Sequence, residues 1–406
     1  AEPACDDSQP PLVMAHGFLA SGDTWALHAQ RFAANGHCAD RYLAFDWDSL
    51  DRRADHVADL DGVIDGVLAA TGAERVDLMG HSAGGGLGYD YLADPGRAAK
   101  VAHYVHVGSF PNAAPAGPEG AEPVPTLNIW SPDDAAVEGA DIPGAENLSL
   151  PGLDHYAVAT APEAFEGLYA FLYGAAPATT DIPAAAPVTV AGQAADLGTN
   201  APAAGARLDV WPVDPLTGQR QGEQPEHTVT VGDDGAWGPL EVTAGTPYEF
   251  HVTPAEGGRQ VHYYREPFQA PNPLVYLRTL PSGGLAGALL GGVPFANAHS
   301  VVVIFSSSQA VLNGRDTLAL NGEAMATPEL ASPEDTLIAL FAYDDQADGA
   351  DGDEIALFAM FPFLNGVDRF IPANPDAAVT AELNGRFLAA PRWPSAADGA
   401  IIFVFE

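Results

Sequence analysis

Over the first 173 residues, short apolar runs alternate with stripes of apolar side chains at helical spacing. Residues 12–15, 42–45, 76–79, 102–107, 126–130 and 147–150 are runs of strand length. Between them, 24–35 carries Trp25, Leu27, His28 and Phe32 at helical spacing and stops at Gly36. Residues 51–70 place Val57, Leu60, Ile64, Val67 and Leu68 in one stripe with aspartates opposite, and 162–173 reads as a closing helix. Strands separated by helices give βαβ units and a mostly parallel sheet, and right-handed crossovers then cover both of its faces. An α/β sandwich over residues 1–173 is the expectation.

From residue 174 to 187 proline, alanine and threonine dominate, a composition too small-residued to pack, so a linker is expected there. Beyond it the period changes to that of strands: 188–190, 207–211, 227–231, 247–252 and 262–264, separated by turns such as Asp233-Asp234-Gly235. A small β-sandwich over 188–268 follows. A further β-rich segment, 269–406, has strand-like runs at 300–305, 336–342, 355–360 and 401–405, and its alternation leaves open whether it continues the second. The charge-free window 279–314 is broken by Gly291, Gly292, Pro294, Asn297 and His299, too often for a lipid-crossing helix. It reads as buried β-core or as a face for an insoluble substrate, and no transmembrane segment is expected.

The chain has 406 residues, 47% of them hydrophobic, enough for two or three separate cores. Its 54 acidic residues against 16 basic ones give a formal charge of -38, and Lys100 is the only lysine. Phosphate contacts need basic patches, so nucleic acid is excluded as a partner. Solubility in salty surroundings is one reading of such a surface, and compositional drift is the other. Cys5 and Cys38 are the only cysteines; paired, they would staple the N-terminus and imply an oxidising compartment, and unpaired they would be buried thiols. The opening Ala1-Glu2-Pro3-Ala4 resembles a chain already trimmed by signal peptidase, so secretion is expected.

Candidate chemistry centres on Gly80-His81-Ser82-Ala83-Gly84, which follows an apolar strand and precedes a helix-compatible stretch. That context is the one a G-x-S-x-G nucleophile elbow needs, with small neighbours that let a strained turn project the Ser82 hydroxyl. A serine needs a base and an acid that orients the base. His155, in Leu153-Asp154-His155-Tyr156 before the closing helix, stands where a base belongs in the chain order serine, acid, histidine. For the acid, Asp134 is preferred and Asp133 held in reserve; both follow the strand 126–130. His16-Gly17-Phe18 follows the first strand, and the backbone N–H groups of Phe18 and Ala83 are candidates for an oxyanion hole. Leu19, Trp130 and Tyr156 are candidate substrate-binding residues around this mouth. No cofactor and no metal are called for. The acidic run 344–354 has calcium-type ligands but lacks EF-hand spacing, so an exposed acidic loop is the favoured reading.

Several stretches together resemble the secreted α/β-hydrolase lipases that carry a C-terminal β-domain, a group first described from a thermophilic archaeon. They are Arg31-Phe32-Ala33-Ala34-Asn35-Gly36, Val76-Asp77-Leu78-Met79-Gly80-His81-Ser82, Arg97-Ala98-Ala99-Lys100-Val101-Ala102-His103, Pro177-Ala178-Thr179-Thr180-Asp181-Ile182 and His262-Tyr263-Tyr264-Arg265-Glu266-Pro267-Phe268. The resemblance implies an α/β-hydrolase sandwich, a serine carboxylic ester hydrolase and a β-domain that helps bind greasy substrates. Two departures are visible. Gly108 occupies the position of the group's acid, which moves that role to Asp134 or Asp133, and Phe45-Asp46-Trp47-Asp48-Ser49-Leu50 runs straight on with no lid insertion. An open site acting on an ester substrate follows, whether a soluble ester, an insoluble lipid or a polyester. A non-catalytic surface-binding protein is the alternative of another class.

Overall fold

The structure is a computed structural model that describes residues 5–255, 257–280, 287, 291–358 and 362–406. The chain divides into two compact units, Ala1–Ala184 with Gly198–Asn200, and Ala185–Leu197 with Ala201–Glu406.

Unit 1 is built on strands β1 (Leu12–Ala15), β2 (Tyr42–Phe45), β3 (Val76–His81), β4 (Val101–Val107), β5 (Thr126–Trp130) and β6 (Glu146–Ser149). All pair in parallel in the order β2-β1-β3-β4-β5-β6. Its helices are α1 (Ala26–Ala34), α2 (His56–Thr71), α3 (Ala83–Leu92), α4 (Pro95–Ala98), α5 (Ala157–Thr160) and α6 (Pro162–Tyr173). Residues at alternate strand positions point to opposite faces. Val13, Ala15, Val76 and Leu78 therefore share a core with Leu60, Ile64 and Val67 of α2 and Leu87 and Tyr91 of α3. Phe32 of α1 and Phe165 of α6 meet edge to face at 4.9 Å. Asp55 caps α2 by accepting from the Ala58 N–H, and Gly72 ends it in a left-handed conformation. Cys5 and Cys38 form a disulfide.

Among the described residues unit 2 is mostly β, with helical positions at Gly287, at Phe358 and in the turn Ser395–Asp398. An eight-stranded sheet holds β8 (Arg207–Pro212), β9 (His227–Thr230), β11 (Tyr248–Thr253), β12 (Val261–Arg265), β14 (Val301–Ser306), β17 (Ala339–Tyr343), β18 (Leu364–Asp368) and β21 (Ala400–Phe405). Strands β7 (Val188–Asp196), β10 (Ala236–Val242) and β13 (Asn272–Thr279) make a three-stranded sheet. The four-stranded sheet consists of β15 (Leu318–Leu320), β16 (Glu323–Ala324), β19 (Asn374–Leu383) and β20 (Arg386–Arg392). Val301, Val303 and Ile402 pack with Val190, Leu240 and Val275, while Val302, Ile304 and Ile401 pack with Leu320, Val379 and Leu388. The large sheet is thus covered on both faces, which is why its middle strands are unbroken apolar runs.

The expected break at 268/269 is absent from this arrangement. β13 pairs in parallel with β7, and β21 pairs in parallel with both β12 and β14. Alternation reports which face a residue occupies but not which distant strand lies beside it. The expected strand 355–360 is also not found: Ile355–Phe358 form a turn, and Met360 lies outside the described residues. The window 279–314 falls partly outside them as well, and its described part includes β14, buried throughout.

Candidate active site

Ser82 follows the carboxyl end of β3 and immediately precedes α3, with φ 52° and ψ -119°. A non-glycine residue in this region costs roughly 1–3 kcal/mol and persists only where its surroundings over-determine it. They do so here. The Ser82 N–H donates to the Val107 carbonyl at 2.9 Å, and the Ser82 carbonyl accepts from the Gly85 N–H at 2.9 Å and the Ser109 hydroxyl at 2.8 Å. The flanking glycines are required by contact: a β-carbon on Gly80 would lie 2.2 Å from the Gly84 carbonyl oxygen, and one on Gly84 would lie 2.4 Å from that of Ala15.

The Ser82 Oγ is 3.0 Å from His155 Nε2, and His155 Nδ1 is 2.7 Å from Asp134 Oδ2. A carboxylate only accepts, so Nδ1 carries the hydrogen, and in the neutral imidazole Nε2 is then the acceptor for the hydroxyl. Asp134 is buried, and its other oxygen accepts the Ala136 and Val137 N–H groups at 2.9 Å each. Asp133 turns outward to solvent, where its Oδ2 accepts the Gly152 N–H at 2.6 Å. The structure therefore brings Asp134, and not the reserve Asp133, to the imidazole. Gly108, after β4, has φ 49°, and a β-carbon there would meet Val158 Cγ1 at 2.7 Å, so no side chain fits where the resembled group keeps its acid.

Two further histidines support this arrangement. His81 Nε2 donates to the His155 carbonyl at 2.9 Å, and the two rings lie 4.8 Å apart. Burial, and then the neighbouring His155, holds the His81 pKa well below its ordinary value, so the ring stays neutral. His16, fully buried after β1, lies with Nδ1 2.8 Å from the Gly17 carbonyl oxygen, while its Nε2 accepts the Trp47 N–H at 3.2 Å. The sequence reading assigned neither ring a part. His16-Gly17 at the end of the first strand was the available signal for one, and adjacency to Ser82 for the other.

Phe18 and Ala83 both adjoin Ser82 in space or in sequence: a β-carbon on Gly17 would lie 3.0 Å from Ser82 Cβ, and Ala83 opens α3. Among the described residues neither N–H meets a protein acceptor. A cleft of about 400 Å³ opens beside Ser82, lined by residues that include Tyr89, Ser109, Phe110, Asn112 and Val137. Phe110 is 67% exposed. The three expected substrate-binding residues do not line this cleft. Leu19 donates its N–H to Ser49 Oγ from a left-handed backbone, Trp130 donates its indole N–H to Asp141, and Tyr156 is buried at the start of α5. Each carries an apolar ring or chain, but the indole bond of Trp130 to Asp141 and the burial of Tyr156 arise from the folded surroundings and not from the local sequence.

In unit 2, the acidic run has its carboxylates engaged with backbone: Asp344 accepts the Asp348 and Gly349 N–H groups, and Asp351 accepts that of Phe370. Among the described residues no group of three or more His, Cys, Asp or Glu side chains is disposed to hold a metal. No helix among them is long and apolar enough to cross a membrane.

Residues 186–281 match a family model described as a lipase C-terminal domain, and residues 298–405 match a second C-terminal-domain model. Among solved structures, the carboxylesterase CesB from Bacillus subtilis is 15% identical, covering 42% of this chain and 86% of its own, with a TM-score of 0.31. An α/β-hydrolase enzyme from a sediment metagenome of the Mar Chica lagoon, Morocco, is 15% identical over 41% of this chain and 90% of its own, with a TM-score of 0.30. The Bacillus licheniformis lipase BlEst2 is 14% identical over 38% and 88%, with a TM-score of 0.29. The chain carries an α/β sandwich on a six-stranded parallel sheet, followed by β-rich sheets within which residues 186–281 match the lipase C-terminal domain model.

Proposed function

We propose that this chain is a serine carboxylic ester hydrolase that works through an acyl-enzyme. The observation that carries the reading is the unbroken relay from Ser82 Oγ through His155 to Asp134, at 3.0 and 2.7 Å, on a serine held at φ 52°. Ser82 Oγ attacks the ester carbonyl as its proton passes to His155 Nε2, and Asp134 stabilises the imidazolium formed. The negative charge on the carbonyl oxygen is met by the N–H groups of Phe18 and Ala83. Collapse expels the alcohol, which takes the proton from Nε2 and leaves the acyl group on Ser82. Water then attacks with His155 again as base, and the acid is released with the serine restored.

The Cys5–Cys38 disulfide supports an extracellular setting. Residues 46–55, the whole connection between β2 and α2, support a site with no inserted helical lid. In this reading residues 1–173 are the catalytic part, 174–187 a linker, and the β-rich remainder helps engage the substrate. A specific observation favours an insoluble lipid or polyester over a small soluble ester: the exposed Phe110 ring lines the cleft that holds Ser82 and offers an apolar contact there. Hydrolysis of p-nitrophenyl esters of graded acyl length, set beside release of acid from a polyester film, tests the assignment. Turnover of the esters that disappears in Ser82→Ala is the expected result. Film hydrolysis that Phe110→Ala lowers severalfold, with butyrate-ester turnover unchanged, is expected of the insoluble substrate. Ester turnover that survives in Ser82→Ala overturns the reading.

A further inference from the structure

Asn200 lies in unit 1 although it is 184 positions beyond His16 in the chain. It is 8% exposed and holds a left-handed backbone at φ 57°, a conformation that asparagine tolerates better than most residues. Its side chain is spent on the segment that follows β1. Oδ1 accepts the Ser21 hydroxyl at 2.6 Å, and Nδ2 lies 2.9 Å from the Ala20 carbonyl oxygen, 3.1 Å from His16 Nε2 and 3.2 Å from the Trp47 carbonyl oxygen.

The Trp47 N–H can only donate, so His16 Nε2 is the accepting nitrogen and Nδ1 bears the hydrogen that goes to the Gly17 carbonyl. The Ala20 N–H reaches the same carbonyl at 3.3 Å. In a planar trans peptide the carbonyl and the following N–H point in opposite directions. A Gly17 carbonyl drawn toward His16 therefore turns the Phe18 N–H to the other side, and Gly17 itself is packed against Ser82. We infer that Asn200 is a positioning residue for the oxyanion hole: its amide, beside the Trp47 N–H, supports His16 Nε2 as acceptor and anchors the 16–21 segment, and through them sets the direction of the Phe18 N–H. The inference rests on the ester-hydrolase reading above.

Two substitutions separate the side chain from the backbone it occupies. Asn200→Gly keeps access to the left-handed region and deletes the amide, whereas Asn200→Asp keeps the shape and the acceptor for Ser21 but removes the donor. Loss of a whole oxyanion donor costs about 10²–10³ in kcat, so misdirection of one is expected to lower kcat roughly 10- to 100-fold with KM changed less than about threefold. Asp46 Oδ1 already lies 3.9 Å from His16 Nε2, so the carboxylate of Asn200→Asp adds a second negative charge beside that nitrogen and favours its protonation beyond the wild type, turning it from acceptor to donor. Activity of that variant should therefore rise with pH more steeply than that of the wild type or of Asn200→Gly. The measurement is kcat and KM on a p-nitrophenyl ester from pH 6 to 9, with circular dichroism confirming that the variants are folded. Folded variants with kcat within twofold of the wild type, while Ser82→Ala is inactive, overturn the inference and leave the hydrolase reading intact. Losses that match the unfolded fraction, with no steeper rise with pH in Asn200→Asp, also overturn it. Activity that persists in Ser82→Ala overturns the hydrolase reading first.

Discussion

In the proposed reading the chemistry rests on Ser82 and the few side chains that touch it. The two aspartates after β5 are neighbours in sequence, yet one faces the imidazole from a buried turn and the other binds the Gly152 N–H at the surface. Asp134→Asn removes the acceptor that fixes the His155 tautomer and should lower kcat by about 10³–10⁴, whereas Asp133→Asn should cost less than tenfold. Steady-state kinetics on one chromogenic ester measures both; similar losses in the two variants would show that the acid is misassigned. Gly84→Ala tests the elbow itself. Its β-carbon would meet the Ala15 and His16 carbonyl oxygens at 2.4 and 2.6 Å, with no flexible side chain to give way, so loss of folded protein or of activity is expected. At this scale Ser82 and His155 were legible in the sequence, because a strand-turn-helix motif and a chain order are local patterns. Asp134 was legible only as one of two, since periodicity does not say which way adjacent turn residues face. His16, His81 and Asn200 act through backbone carbonyls and each other, contacts that exist only once the chain has folded.

At the level of elements, the strands and helices of unit 1 were legible nearly to their ends because each buries one face or stripe: α6 spans Pro162–Tyr173 as its apolar spacing implied. The strands of unit 2 were harder. β10 shifts register between Trp237 and Leu240, which breaks the period-two pattern. β19 is half exposed along its first residues and also shifts register, so its apolar positions do not alternate. Helix α2 offers a direct test of local propensity. Gly62 and Gly66 are exposed in its interior, and a β-carbon on either meets nothing within 4 Å. Alanine at each site should add about 0.5–1 kcal/mol of stability, read from the shift in urea midpoint. No shift would show that α2 is not helical at these positions in solution.

The whole molecule carries a formal charge of -38, and its stability should depend on salt and pH accordingly. The Debye length falls from about 10 Å at 0.1 M salt to about 3 Å at 1 M, so self-repulsion is screened and the melting temperature should rise between the two. An unchanged or lower melting temperature would remove the link between charge and salt tolerance. On acidification the buried histidines His28, His81, His251 and His106 are affected first, since burial holds each below its ordinary pKa. Burial lowers that of His106 to about 4 against partial compensation from backbone hydrogen bonds, so between pH 6.5 and 4 the unfolded chain binds a proton that the folded chain refuses, and stability falls. Glu249 follows: burial would raise its pKa, but hydrogen bonds from Arg220 and His262, with their charges, outweigh burial and bring it to about 2. Its contribution is present above 4.5 and is lost as pH falls toward 2. His106→Asn should flatten the upper part of a stability-versus-pH curve, and a curve unchanged by that substitution would assign the loss elsewhere. Reduction of the Cys5–Cys38 bond should lower stability by about 2–4 kcal/mol, seen as a lower melting temperature.

Covalent labelling of the serine addresses the chemistry most directly. The intact chain is treated with a fluorophosphonate, and adducts are located by mass spectrometry of its peptides. One adduct per chain on Ser82 is expected, absent in Ser82→Ala and formed far more slowly in His155→Ala. A wild-type chain that stays unlabelled, or one labelled equally well after Ser82→Ala, would contradict a nucleophilic serine at this site.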